Sequence, residues 1–240
     1  MSLNNFLTKS FSKISLNIKF FYIKLKYRFF GGVDFEKLID EFEVVNFTPF
    51  IGTKNFFLSK YECDYIKLLA KDKLEKSKVH YSKNTNNNFS NFSNIRSSSS
   101  YCIDPHSDKL VFEIVKRLSN IVGLDYKLVP SVEVSLYKEG QFFAHHLDSY
   151  KKDHILNKIR NKNIFLQRVF TAICYLNTPE EGGITSFPNI NKKVIPNIGN
   201  LLFFENTKRN ALSRNIDSLH GGDPVFKGEK WILTTWFFNN

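Results

Sequence analysis

With 240 residues, 34 Lys and Arg against 23 Asp and Glu, a formal net charge of +11 and a pI near 9.4, the chain has room for one domain with a sizeable core and a short extension. The positive excess favours anionic partners: an acidic partner protein, nucleic acid or a membrane surface. Three cysteines, Cys63, Cys102 and Cys174, are odd in number and lack CxxC or metal-ligand spacing, which excludes a disulfide framework and points to a reducing, intracellular and cytoplasmic setting where each thiol is a small buried hydrophobe.

Residues 1–32 form an arm of apolar and basic side chains with no acid before Asp34. Lys and Arg interrupt it too often for a bilayer span, which needs about twenty mainly apolar residues. No small-residue cleavage site follows a clean apolar block, so neither a transmembrane segment nor a secretory signal is expected. An interfacial amphipathic segment, a basic arm for an acidic partner and an element packed on the domain remain open readings. Residues 33–240 are expected to form a single domain, with helical support over 33–125 and a strand-rich core over 126–240.

In that first half, residues 34–53 read as a short helix followed by an extended run. Ser59 and Glu62 make a capping box, in which each side chain satisfies a backbone amide at a helix start; the helix is expected over 60–76, with Tyr65, Ile66, Leu68, Leu69 and Leu74 as an apolar stripe. The Asn- and Ser-dense stretch 82–100 reads as a loop, either a lid or plain surface. Leu110, Val111, Ile114, Val115, Leu118 and Ile121 recur at helical spacing and predict a helix over 109–122.

From residue 126 the period changes to two. Val132, Val134 and Leu136 alternate with Glu133, Ser135 and Tyr137, which share the other face of a half-buried strand. Gly140 interrupts before a strand carrying His146 and Asp148. Residues 149–163 read as a basic loop with His154 facing solvent, and further strands are expected at 168–177, 183–187, 193–195, 200–205 and 230–238. Helices followed by many short strands give an α+β class: a double-stranded β-helix, the jelly-roll or cupin architecture, buttressed by N-terminal helices.

The chemistry concentrates in this second half. In an extended strand His146 and Asp148, two apart, face one way, while His145 and Leu147 face the other. With His220 they supply two imidazoles and one carboxylate, the donor set of a non-haem Fe(II) centre that keeps one face open. A His-x-Asp tripeptide alone is a common accident, but Lys230, ten residues past His220 on a strand entering a core, reads as an anion anchor rather than a solvated charge.

The stretch from Tyr137 to Asp148 resembles the prolyl 4-hydroxylase branch of the 2-oxoglutarate and Fe(II)-dependent dioxygenases. Blocks at 168–177, 182–188, Pro196 with Gly199, and 220–231 follow in the family's order, and the similarity runs from about residue 47 to the C terminus. The resemblance implies Fe(II) held by His146, Asp148 and His220. It also implies 2-oxoglutarate held at its distal carboxylate by Lys230 with hydroxyl support from Tyr137 and Thr185, O2 as oxidant, and L-ascorbate to rescue oxidised iron. The implied reaction hydroxylates a C–H bond, first of all peptidyl proline to 4-hydroxyproline, releasing succinate and CO2, with a peptide or protein as substrate. Arg96, Arg168 and Trp236 match positions near the substrate entrance and peptide groove of relatives; their plain readings are a surface loop, a structural ion pair and a core indole. Phe143 stands where the family has tyrosine and Ile184 where it has glutamate, so the same chemistry on another side chain, a small molecule or a nucleobase stays open. A non-catalytic binding module is opposed by the joint presence of His146, Asp148, His220 and Lys230.

Overall fold

The computed structural model describes residues 33–77, 95–161, 167–208 and 213–239. The N-terminal arm and most of the Asn- and Ser-rich stretch lie outside the described residues.

The chain begins with helix α1 (Phe35–Glu41), whose first amides are capped by the Asp34 carboxylate. The hairpin β1 (Glu43–Phe47) and β2 (Phe50–Lys54) follows. Helix α2 (Lys60–Ala70) starts at the Ser59–Glu62 capping box, with both reciprocal hydrogen bonds present. It stops six residues short of the expected end: residues 71–73 tighten into a 3-10 turn and Leu74 is extended, leading into the short β3 (Glu75–Lys76). Nothing in the composition there signals the stop, since Gly and Pro are absent. Strand β4 (Ser99–Ile103) begins inside the stretch read as a loop. Helix α3 (Lys109–Val122) has its expected bounds, capped by Asp108 at one end and by Gly123 in the left-handed conformation at the other, where a residue without Cβ carries no steric penalty.

Two sheets then face each other. Strands β5 (Val132–Tyr137), β6 (Phe143–His146), β7 (Gln167–Tyr175), β8 (Glu181–Gly182), β9 (Thr185–Phe187), β10 (Lys192–Val194), β11 (Leu201–Glu205), β12 (His220–Gly222), β13 (Val225–Lys227) and β14 (Lys230–Asn239) complete the set. The larger sheet has the order β1-β2-β11-β7-β14-β5-β4-β3 and the smaller one β10-β9-β12-β6, with β13-β8 as a two-stranded ribbon. Because β1 to β4 join the larger sheet, strands lie on both sides of the boundary drawn at residue 126.

The larger sheet is apolar on both faces. Toward the helices, Val132, Val134, Leu233 and Phe203 pack with Leu38, Ile66, Ile114 and Leu118. Toward the smaller sheet, Ile173, Tyr175, Leu202, Phe204 and Ile232 pack with Phe187 and Val225. Full burial of one such side chain is worth about 1.5–3 kcal/mol, and covering both faces explains why β5 is almost wholly buried rather than half-buried.

Three smaller expectations also change. Residues Lys152–Arg160 form helix α4 instead of a loop, with Ile155 buried beneath it and the His154 ring 4.4 Å from that of Tyr150. Cys63 and Cys174 are buried, but Cys102 is exposed at the surface of β4. Among the described residues no helix is long and apolar enough to cross a membrane.

Candidate functional site

Strands β6 and β12 run antiparallel with His220 opposite His146, but Gly222 lies opposite Phe143. Three steps along β6 thus match two along β12, and this extra residue is a bulge that re-aims side chains. Phe143 and His146 both turn into the pocket, their rings stacked at 3.7 Å. His145 turns outward, with Nε2 3.1 Å from Ser186 Oγ. A Cβ on Gly221 would lie 2.8 Å from His145 Cδ2 and 2.9 Å from the Phe143 carbonyl, so only glycine lets the strands close beside His220.

The strand ends at His146, and Asp148 sits in the bend that follows. Its carboxylate still returns to the histidines: Oδ1 is 3.4 Å from His146 Nε2 and Oδ2 is 3.7 Å from His220 Nε2. Each imidazole is oriented by a carbonyl two residues upstream, at 2.9 Å from His146 Nδ1 to Ala144 O and 2.9 Å from His220 Nδ1 to Ser218 O. A carbonyl only accepts, so Nδ1 carries a proton in both rings and Nε2 is the ring atom that each turns toward the carboxylate. One ligand atom from each of the three residues lies within 4.8 Å of the others. Burial pushes the His220 pKa down to about 4, with His146 adding to the effect and Asp148 opposing it, which keeps that imidazole a neutral donor. Burial works to raise the Asp148 pKa, yet the two histidines and Arg168 hold it well below the usual carboxylate range. Two imidazoles and one carboxylate fit Fe(II) with positions left open.

Asp148 is anchored on its far side. Oδ2 accepts from Thr171 Oγ1 at 2.6 Å and from Trp236 Nε1 at 3.0 Å. Trp236 therefore touches Asp148 itself, and its outer face carries the Arg168 guanidinium at 4.0 Å. Arg168 forms no ion pair among the described residues, and its buried Nε has no hydrogen-bond partner.

Alternation along β14 points Lys230, Ile232, Thr234 and Trp236 into the pocket, and the register sets Lys230 directly opposite Tyr137. Lys230 is 3% exposed, with Nζ 5.7 Å from the ring centroids of both Tyr137 and Tyr175. It has no carboxylate at ion-pairing distance among the described residues. Burial lowers its pKa to about 8, against a smaller opposing pull from Asp223. The hydroxyls of Thr185 and Tyr175 meet at 2.8 Å nearby. Burial raises the Tyr137 pKa, while Arg96 and a hydrogen bond with Ser98 work against the rise.

Arg96 is buried and fully engaged rather than a loop residue: its guanidinium contacts Glu133 Oε1 at 2.6 Å, Ser135 Oγ at 2.8 Å and Ser98 Oγ at 2.9 Å, and lies 4.7 Å over the Phe143 ring. His146, Asp148, His220, Lys230, Tyr137, Thr185, Phe143, Arg96 and Trp236 all line one pocket, whereas Arg168 stands behind Trp236. Sequence reasoning gave no role to Thr171, Tyr175 or Glu133. The signals were present for all three: Glu133 shares the face of Tyr137, and Thr171 and Tyr175 belong to the block that begins at Arg168.

The 2OG-Fe(II) oxygenase superfamily profile matches residues 132–238. The chain is 31% identical over 213 residues to probable prolyl 4-hydroxylase 10 of Arabidopsis thaliana, covering 81% of this chain and 70% of the relative. It is 33% identical over 218 residues to probable prolyl 4-hydroxylase 3 of the same plant, covering 81% and 71%. The viral collagen prolyl hydroxylase of Paramecium Bursaria Chlorella virus-1, solved with 2OG, superposes with a TM-score of 0.62 at 27% identity over 79% of this chain and 96% of that one. A Pseudomonas putida prolyl-4-hydroxylase shares the fold, with a TM-score of 0.55 at 18% identity over 79% and 92%.

Proposed function

Since the chain belongs to the prolyl 4-hydroxylase branch of the 2OG-Fe(II) oxygenase superfamily, we propose that it hydroxylates peptidyl proline, with Fe(II) held by His146, Asp148 and His220 and 2-oxoglutarate anchored by Lys230. The observation that carries this reading is the placement of a three-residue donor set and a buried, unanswered lysine in one pocket. Bound there, Fe(II) with 2-oxoglutarate and O2 would supply the oxidising power to hydroxylate an unactivated C–H bond, with succinate and CO2 as co-products and L-ascorbate as the supporting reductant.

The protein's own part is binding and orientation. Lys230 provides a point charge for the distal carboxylate at a buried position, and a charge-assisted hydrogen bond is about twice as strong as a neutral one. Thr185 and Tyr137 add hydroxyls beside it. Trp236 and Thr171 fix Asp148, and the Phe143 ring, stacked on His146, walls the substrate side. Arg96, paired with Glu133 and lying over the Phe143 ring, continues that wall.

The test is succinate release from 2-oxoglutarate by anaerobically reconstituted Fe(II) protein exposed to O2, with and without a proline-rich peptide. We expect peptide-stimulated turnover and a mass gain on proline, both lost in His146→Ala. Turnover that ignores the peptide would retain the oxygenase and overturn proline as its target. A folded, iron-loaded protein with no turnover would overturn the enzyme reading.

A further inference from the structure

Behind Asp148 the hydrogen-bond chain continues one residue further than the pocket. Asn206 Nδ2 lies 2.7 Å from Thr171 Oγ1, which in turn lies 2.6 Å from Asp148 Oδ2. Both Asn206 and Thr171 are 0% exposed, and Asn206 Oδ1 has no hydrogen-bond partner among the described residues. The direction of every bond in this chain follows from the donor inventory. A carboxylate only accepts, so the single Thr171 hydroxyl proton is committed to Asp148. The Thr171 oxygen is left to accept, so the Asn206 amide must turn its NH2 toward Thr171, and its carbonyl oxygen is left facing away without a donor. An unsatisfied buried acceptor is a standing cost in a native structure and calls for a reason.

We propose that Asn206 is a positioning residue for the metal carboxylate: by donating to Thr171 it locks the hydroxyl rotor so that Asp148 Oδ2 receives two donors, Thr171 and Trp236, and only Oδ1 is left to bind metal. Trp236 Nε1 can only donate, so the two donors together bias the carboxylate toward one-oxygen ligation and keep a coordination position open. With the Asn206 donor removed, the Thr171 hydroxyl loses the contact that fixes its rotor, its hold on Oδ2 loosens, and the carboxylate is presented to the metal less firmly. The placement of Asn206 does not depend on its side chain, because its backbone N–H donates to the Val169 carbonyl at 2.9 Å and its carbonyl accepts from Asn215 N–H at 3.0 Å. The inference rests on His146, Asp148 and His220 being the metal ligands.

The experiment measures anaerobic Fe(II) affinity of the metal-free protein and the visible absorption of the Co(II)-substituted protein, which reports ligand number. Thr171→Val and Asn206→Leu are each expected to weaken Fe(II) binding about 10–100-fold, the usual effect of losing an outer-shell partner, and to shift the Co(II) bands. The double variant is expected to lose no more than either single one, since both act through one hydroxyl; Thr171→Ser, which keeps the hydroxyl, is expected to stay near wild type. Should Asn206→Leu fail to fold, Asn206→Asp has the same shape but accepts where Asn206 donates, and is expected to lose affinity in the same way. Wild-type affinity and Co(II) bands in the single variants, with only a lower Tm, would overturn the proposal, as would losses that add. Absence of metal binding in the wild type, matching a His220→Gln control, would overturn the ligand assignment itself.

Discussion

Lys230 brings a positive charge into a pocket where no carboxylate of the described residues pairs with it. A lysine titrates near 10.4 in an unfolded chain, and burial lowers Lys230 to about 8, a cost of roughly 3 kcal/mol to the charged folded state. Below about pH 8 both states hold the proton and this cost is felt in full. Between about 8 and 10.4 the unfolded chain binds more protons, so the contribution of this group to stability rises with pH. On the proposed role of Lys230, dicarboxylate binding runs the other way, because it needs the ammonium. KM for 2-oxoglutarate is therefore expected to be flat below about pH 8 and to climb about tenfold per pH unit above it, as measured by a pH series of succinate release. A KM that stays flat to high pH would mean that charge does not hold the co-substrate. Lys230→Met is expected to abolish 2-oxoglutarate binding while raising the Tm of the ligand-free protein at pH 7.

At the scale of elements, the segment carrying Arg96 is locked between two strands, pairing its backbone with β6 and its guanidinium with Glu133 of β5. Removing one member of a buried ion pair leaves the other unanswered, which typically costs about 3–5 kcal/mol. Arg96→Met is expected to destabilise the fold by that amount in denaturant melts, and Arg96→Met with Glu133→Gln to recover part of it; a full-size loss in the double variant would show that packing on Phe143, not charge, is the support. Elements of this kind mark where sequence reading ends. The alternation Val132, Val134, Leu136 and the stripe Val111, Ile114, Val115, Leu118 were legible because burial imposes a period on a strand or helix. The end of α2 and the existence of α4 were not, since the first has no stop residue and the second is a short, strongly basic segment that reads as a solvated loop. His146, Asp148 and His220 stood out by spacing and family order. The Arg96–Glu133 pair and the Asn206–Thr171–Asp148 chain did not, because they join residues from separate strands whose register is set only in three dimensions, and the β6 bulge that turns Phe143 inward has no local composition to mark it.

Across the whole molecule, the smaller sheet and the bend after β6 supply His146, Asp148 and His220, while the larger sheet supplies Lys230, Tyr137 and the donors behind Asp148. A metal bound by the three ligands bridges β6 and β12, and any ligand that binds only the folded state stabilises it, by about 2.7 kcal/mol at a hundredfold excess over Kd. For a chain of this size that corresponds to a Tm rise of about 5–10 °C. The rise is expected with Fe(II) under argon, to vanish on chelation, and to be missing in His220→Gln; an equal rise in that variant would place the metal elsewhere.

The backbone pairing of the Arg96 segment has a kinetic consequence. Ala144 N–H is bonded to the Ile95 carbonyl at 2.8 Å and Ser97 N–H to the Phe142 carbonyl at 3.1 Å, so the outer rim of β6 is already zippered to its own chain. Both amides are expected to resist deuterium exchange and to lose that protection together, because one opening event frees both. Their common exchange rate, followed by NMR with and without 2-oxoglutarate and metal, would then time how often the wall of the pocket parts from the strand that bears His146.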